Sequence, residues 1–124
     1  MKLLSSHKEL DVYKLSFKLA MEIFETSKLF PKEEKFALTD QIRRCSRSVS
    51  ANIAEAFRKR RYEKAFIAKL SDAEGEAAET QTWIDFAYNC HYLSPELRES
   101  FDNEYEHTIR MLVTMIKSPD KWSL

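Results

Sequence analysis

The stretch Phe36–Lys64 reads FALTDQIRRCSRSVSANIAEAFRKRRYEK and decides the fold. Five apolar residues and one asparagine recur in it at steps of four and three: Leu38, Ile42, Cys45, Val49, Asn52 and Ala56. This heptad spacing predicts a helix with a single packing seam. Asn52 is the polar member of the seam, and a paired polar residue there fixes register or partner choice. The alternative is an asparagine that turns to solvent at the edge of the seam.

Three further segments carry helical spacing, and together the pattern predicts helices over about 12–29, 33–58, 62–92 and 95–117. Asp11 is the expected N-cap of the first helix, and Ser94 followed by Pro95 is the expected start of the fourth. The third helix should bury a series that ends at His91. A tight turn is expected near Lys59–Arg61, because one helix from Phe36 to Tyr92 would be about 85 Å long and leave its seam uncovered.

Composition agrees with an all-α protein. One glycine and three prolines in 124 residues are too few for a β-rich fold, which needs frequent turn residues. Four helices with short connections favour an antiparallel up-down-up-down four-helix bundle, with residues 1–124 forming one domain. The first helix carries a second apolar stripe, Tyr13, Phe17, Ala20 and Phe24, so its apolar surface is wider than one helix–helix seam requires.

Cys45 and Cys90 both fall at apolar positions of predicted helices, which indicates buried, reduced thiols; a disulfide or a ligand role is the alternative. The first residues form no apolar run of signal-peptide length, and no segment is apolar enough for a membrane span. A cytoplasmic protein without membrane contact is expected.

The sequence predicts no enzyme, and no catalytic residue, metal ligand or cofactor site. A bundle di-iron site needs two Glu-x-x-His pairs, whereas only Glu104 and His107 form one. Cys45 has arginines nearby, but its seam position predicts an inert thiol. The serines of the second helix have no histidine close in sequence, and there is no glycine-rich phosphate loop.

The remaining candidate site is a set of eight basic residues within 22 positions: Arg43, Arg44, Arg47, Arg58, Lys59, Arg60, Arg61 and Lys64. Such a density could follow a phosphate backbone, and we expect RNA or DNA as the ligand. Arginine equally suits carboxylate. Lys32–Lys69 holds 11 basic against 5 acidic residues and Leu70–Glu106 holds 1 against 10, so the arginines could instead pair with the third helix, within one chain or between subunits.

The motifs around this set resemble the four-helix-bundle family of 23S rRNA-intervening-sequence proteins. The resemblance rests on Phe30-Pro31, the acidic Glu33 and Glu34, Leu38-Thr39, Gln41-Ile42-Arg43-Arg44, and Ser48 followed by Ala51-Asn52-Ile53-Ala54-Glu55. Downstream, Leu70, Ala73, Gly75, Glu79 and Thr80 resemble the family's third helix. This chain departs from the family with Ala56 in place of a glycine, and with Arg58–Arg61 in place of a serine-containing turn.

The resemblance implies a homo-oligomer, typically a pentamer. Related accessory proteins of diversity-generating retroelements are similar bundles that bind nucleic acid and a reverse transcriptase through basic surfaces. The resemblance therefore adds a reverse transcriptase or another protein to the possible partners. For the intervening-sequence members themselves no biochemical activity is established, so the resemblance adds none to the expectations for this chain.

Overall fold

A computed structural model describes residues 4–123, and four helices account for most of them. The helices are α1 (Asp11–Ser27), α2 (Leu38–Arg58), α3 (Glu63–Asn89) and α4 (Pro95–Lys117). Three short 3-10 turns flank them, at His7–Glu9, Lys32–Glu34 and Pro119–Lys121, and the described range contains no strand. The predicted all-α class is confirmed.

Contacts between helices show that consecutive helices run antiparallel. Ser16 of α1 meets Ser50 of α2, with 2.9 Å between their hydroxyl oxygens, whereas Arg43 near the start of α2 reaches Ser27 at the end of α1. Helices α2 and α3 are also antiparallel, because Cys45 of α2 lies beside Thr80 of α3, whereas Glu55, later in α2, lies beside Lys69, earlier in α3. Since α4 also packs against α1, the four helices close into a bundle.

The core follows the predicted seams closely. All the α2 seam residues except Asn52 are buried, and so are the predicted α3 positions from Phe66 to Ala87. Asn52 is half-buried, and its Nδ2 donates to the carbonyl (2.9 Å) and the hydroxyl (3.0 Å) of Ser48, one turn earlier in the same helix. No hydrogen bond joins Asn52 to another helix in residues 4–123, so a role in register stays a prediction.

Helix starts depend on caps that the sequence indicates only in part. Ser94 is the N-cap of α4, its hydroxyl accepting from Leu97 N–H at 3.1 Å, and Pro95 follows as predicted. Asp11, the expected N-cap of α1, is instead the first helical residue, after Leu10.

The α2 helix begins at Leu38 and not near residue 33, because a 3-10 turn occupies Lys32–Glu34. Glu34 then caps α2, with its Oε1 3.4 Å from Leu38 N–H, and its Oε2 accepts from the Tyr92 hydroxyl at 2.9 Å. A carboxylate at this end also complements the helix dipole.

The α3 helix ends at Asn89, so the prediction that His91 belongs to the buried face is wrong. His91 is exposed and left-handed, with a φ of 66°. Its N–H donates to the Tyr88 carbonyl, and Tyr92 N–H donates to the Ala87 carbonyl, both at 2.9 Å or less. This is a Schellman closure, usually built around glycine. Cys90, at the same helix end, is exposed, which corrects the prediction that both thiols are buried.

The Cys45 thiol is buried between α2 and α3, and its Sγ lies 3.1 Å from Thr80 Oγ1. Burial, opposed in part by that contact, raises the pKa of Cys45 to about 11, so the thiol is protonated and unreactive at neutral pH. Both cysteines are free in the structure.

The outer face of α1 remains partly uncovered. Ala20 is buried in the bundle, but Phe17 and Met21 are 51% and 48% exposed, and Leu97 of α4 is 43% exposed. The seam between α1 and α4 is the thinnest in the bundle, with an open groove between Met21 and Phe101. Among residues 4–123, no helix combines the length and the apolar character needed to cross a membrane.

Candidate nucleic-acid interface

Two of the eight predicted basic residues are engaged in the fold itself. Arg43 Nε donates to Ser27 Oγ at 2.7 Å, one Nη points at the Phe24 carbonyl at 3.5 Å, and the guanidinium lies 4.8 Å from the centre of the Phe24 ring. The last carbonyls of a helix lack intrahelical partners and favour a nearby cation. Arg43 therefore closes the C-terminal end of α1, which has no basic residue of its own in its last turn.

Arg60 does the same for α2. Its Nε donates to the Phe57 carbonyl at 2.8 Å, and its guanidinium lies 3.6 Å from the centre of the Phe57 ring. Burial, and then the nearby charge of Arg58, lower the pKa of the Arg60 guanidinium. Arg60 is consequently a capping residue more than a free cation.

The other six residues are exposed, and none of their charged groups forms a hydrogen bond or an ion pair within residues 4–123. Three form what we call the basic stripe: Arg44, Arg47 and Arg58. The remaining three form the turn cluster: Lys59, Arg61 and Lys64. These six residues together are the basic surface.

The basic stripe runs along the solvent side of α2. The positions 44, 47, 51, 54 and 58 advance by three and four, so they share one face of the helix. From Arg44 to Arg58 the stripe extends about 21 Å at 1.5 Å per residue. The residues between the arginines are Ala51 and Ala54, which leave the helix backbone open to close approach. The turn cluster continues the positive charge beyond the end of α2.

The stripe borders two grooves. Arg47 lines an apolar groove of about 340 Å³ between α1 and α2, together with Tyr13 and Phe17. Arg58 and Lys59 line a more polar groove of about 620 Å³ at the end of α2. Ala54 lies on the wall of both grooves, which makes them neighbours along the helix.

Two residues outside the predicted set, Tyr62 and Lys69, also line the polar groove. Lys69 Nζ lies 2.8 Å from Glu55 Oε2, which neutralises the carboxylate on that wall, and this contact lowers the pKa of Glu55. Tyr62 directly follows the Arg58–Arg61 run in sequence, and an aromatic residue beside a basic run was the available signal for it.

In the described part of the chain, the acidic residues of α3 form no ion pair with the basic surface. Arg98 pairs with Asp85 at 3.0 Å, and Lys69 pairs with Glu55, but no residue of the predicted basic set pairs with α3 in residues 4–123. Glu76 is half-buried, and burial, followed by the charges of Glu79 and Asp72, raises its pKa. Within residues 4–123, no ion pair therefore compensates the charges of the basic surface, or those of Glu76 and Glu79 on α3.

Comparison with known proteins identifies the family. The family model for the 23S rRNA-intervening sequence protein matches residues 8–114. A crystal structure from Bacteroides thetaiotaomicron, described as a protein of unknown function from the S23 ribosomal protein family, is 33% identical in sequence. It superposes with a TM-score of 0.77, and the alignment covers 86% of this chain and 95% of that one. No curated protein matches the chain significantly. By the extent of the family match, this chain belongs to the family of 23S rRNA-intervening sequence proteins.

Proposed function

We propose that this protein is a non-enzymatic, oligomeric helical bundle that binds RNA or DNA through its basic surface. The observation that supports the proposal is the state of the six cations: all are exposed, none forms a hydrogen bond or an ion pair within residues 4–123, and they follow α2, the turn after it and the start of α3. Of the six, only Arg47 lies near an aromatic ring within residues 4–123, 5.7 Å from the centre of Phe24, and cations without an anionic partner gain from a polyanion because binding releases its counterions. The two arginines that the fold uses as caps, Arg43 and Arg60, are not part of the proposed contact.

The size of the surface bounds the expected salt dependence. If all six cations of one protomer contact phosphates, the logarithm of the association constant should fall with the logarithm of salt concentration at a slope of about −5 for a duplex and about −4 for a single strand. Each contact removed should reduce the slope by about 1.

The test is a fluorescence-anisotropy titration of labelled RNA and duplex DNA at several salt concentrations. Arg58→Glu should weaken binding about tenfold or more at low salt and flatten the slope. Arg110→Glu is the matched control, because Arg110 is also an exposed arginine, on α4, and forms no ion pair within residues 4–123. Absence of binding at low salt, or equal loss with both variants, would refute the proposal.

A second candidate, a protein-interaction scaffold, is favoured by one specific observation. Arg47 lies at the apolar groove beside the exposed Phe17, whereas Glu76 and Glu79 of α3 have no cationic partner within residues 4–123. One subunit could place the α1–α2 face against α3 of the next, a head-to-tail contact that forms a ring when the rotation between subunits closes. Arg47→Glu would then break the oligomer, as measured by size-exclusion chromatography with light scattering, while Arg58→Glu would not.

A further inference from the structure

We infer that the basic surface is built for single-stranded nucleic acid, with Tyr62 as a platform on which an unpaired base stacks. The inference rests on the proposed function and specifies its ligand. Its starting point is that Tyr62, in the turn between the two long helices α2 and α3, is 67% exposed. An exposed aromatic side chain in a basic surface points to a ligand with a flat face.

The backbone of Tyr62 is held firmly while its ring is left free. Its N–H donates to the Lys59 carbonyl at 2.9 Å, and its carbonyl accepts from Phe66 N–H at 2.9 Å. These bonds fix the start of α3. Within residues 4–123 the ring stacks on no other ring and the hydroxyl forms no hydrogen bond, so no aromatic or hydrogen-bonding partner competes with a ligand for the exposed part of the ring.

The surroundings of the ring suit a nucleotide. Tyr62, Arg58 and Lys59 line the same polar groove, whose volume of about 620 Å³ is in the usual range for ligand sites. Arg61 directly precedes Tyr62 in sequence, and Lys64 follows two residues later, after the exposed Glu63. The one carboxylate on the groove wall, that of Glu55, is already neutralised by Lys69. A base on the ring would thus have cations nearby for the phosphates on either side of it.

This arrangement discriminates between single strands and duplexes. In a duplex the bases are stacked on each other, and no base face is available to a tyrosine ring. In a single strand each base can stack on an aromatic side chain while the cations follow the backbone, and such stacking accepts any base. The surface should therefore prefer unpaired nucleic acid with little sequence preference.

The experiment uses the whole chain and two labelled probes of equal length, an oligo(dT) of about 12 nucleotides and a duplex of the same number of base pairs. Binding is followed by anisotropy at low salt. Tyr62→Ala should weaken oligo(dT) binding by about 5- to 150-fold and duplex binding by less than about twofold. Tyr62→Phe keeps the ring and should stay within about twofold of the unchanged protein for both probes.

Phe36→Ala is the matched control. Phe36 is an even more exposed aromatic residue, at 86%, with Lys35 Nζ 5.2 Å from its ring centre, but it lies outside the basic surface. Its removal should change neither affinity. If Tyr62→Ala weakens neither probe, or both equally, while Arg58→Glu still weakens both, the stacking inference is wrong and the proposed function stands. If the unchanged protein binds neither probe, both are wrong.

Discussion

Replacing Tyr105 by phenylalanine should stabilise the protein. Tyr105 lies on α4 and is fully buried, and its hydroxyl has no hydrogen-bond partner in residues 4–123. Burial, with smaller effects from Cys45 and Glu22, raises the pKa of this phenol far above its ordinary value. The hydroxyl is therefore neutral, desolvated and unpaired.

The magnitude follows from what the substitution removes. A buried hydroxyl without a partner costs about 1–3 kcal/mol in protein mutational data. Removing the oxygen leaves a void of roughly 10–15 Å³, which at about 24 cal/mol per Å³ returns some 0.3 kcal/mol of destabilisation. Tyr105→Phe should thus raise the free energy of unfolding by about 1 kcal/mol and Tm by about 3–5 °C for a chain of this size.

The assay is urea unfolding followed by circular dichroism at 222 nm, with the m-value unchanged. Tyr92→Phe is the matched control, because the Tyr92 hydroxyl donates to Glu34 Oε2 at 2.9 Å and its loss should lower stability. A loss of stability in Tyr105→Phe, equal in sign to that of Tyr92→Phe, would refute the reasoning, since it would mean that the Tyr105 hydroxyl is paired in solution.

Three further predictions concern other parts of the bundle. His91→Gly should raise the free energy of unfolding by about 1 kcal/mol, because glycine adopts the left-handed conformation without steric cost; an unchanged or lower urea midpoint would contradict this. Ser16→Ala should lower the free energy of unfolding by about 1 kcal/mol, because it leaves the Ser50 hydroxyl without its buried partner. A double-mutant cycle with Ser50→Ala should give a coupling energy of at least about 0.5 kcal/mol. Additive losses would show that the two serines are not coupled. The hydrogen bond to Glu34, with burial and nearby charge, raises the pKa of Tyr92 to about 12 from an ordinary value of 10. The contribution of this hydrogen bond to stability should therefore be complete below pH 10 and disappear between about pH 10 and 12. The urea midpoints of the unchanged protein and of Tyr92→Phe should converge over that window and not below it.

Periodicity predicted the interior of the helices well, because buried positions repeat with the helix itself. From Leu38 to Ala56 and from Phe66 to Ala87, the seams in the structure follow the sequence, with Asn52 half-buried. The helix ends were harder. Residue 91 continues the same spacing, yet a Schellman closure without glycine ends α3 two residues earlier. The start of α2 depends on Glu34, which is fixed by Tyr92 from a distant part of the chain.

The candidate site shows the same division between local and distant information. Basic density located the surface, but it could not show that Arg43 and Arg60 are used as helix caps. For Arg43 the reason is that Ser27 and Phe24 are 16 and 19 residues away in sequence. Tyr62 was not predicted as a site residue, because only the three-dimensional structure shows that its ring is exposed in the groove beside Arg58 and Lys59.

The thin seam between α1 and α4 has a consequence for how the bundle moves. Each of the other seams joins helices that are consecutive in the chain and packs more extensively, so each pair can form as a local hairpin. The α1–α4 seam joins the two ends of the chain and closes last, at the highest loop-closure entropy. We expect local opening at this seam before the others, because it packs least and is opposed most by loop-closure entropy. Opening there would expose more of the apolar face of α1 beside Met21 and Leu97, while the α2–α3 pair that carries the basic surface stays packed.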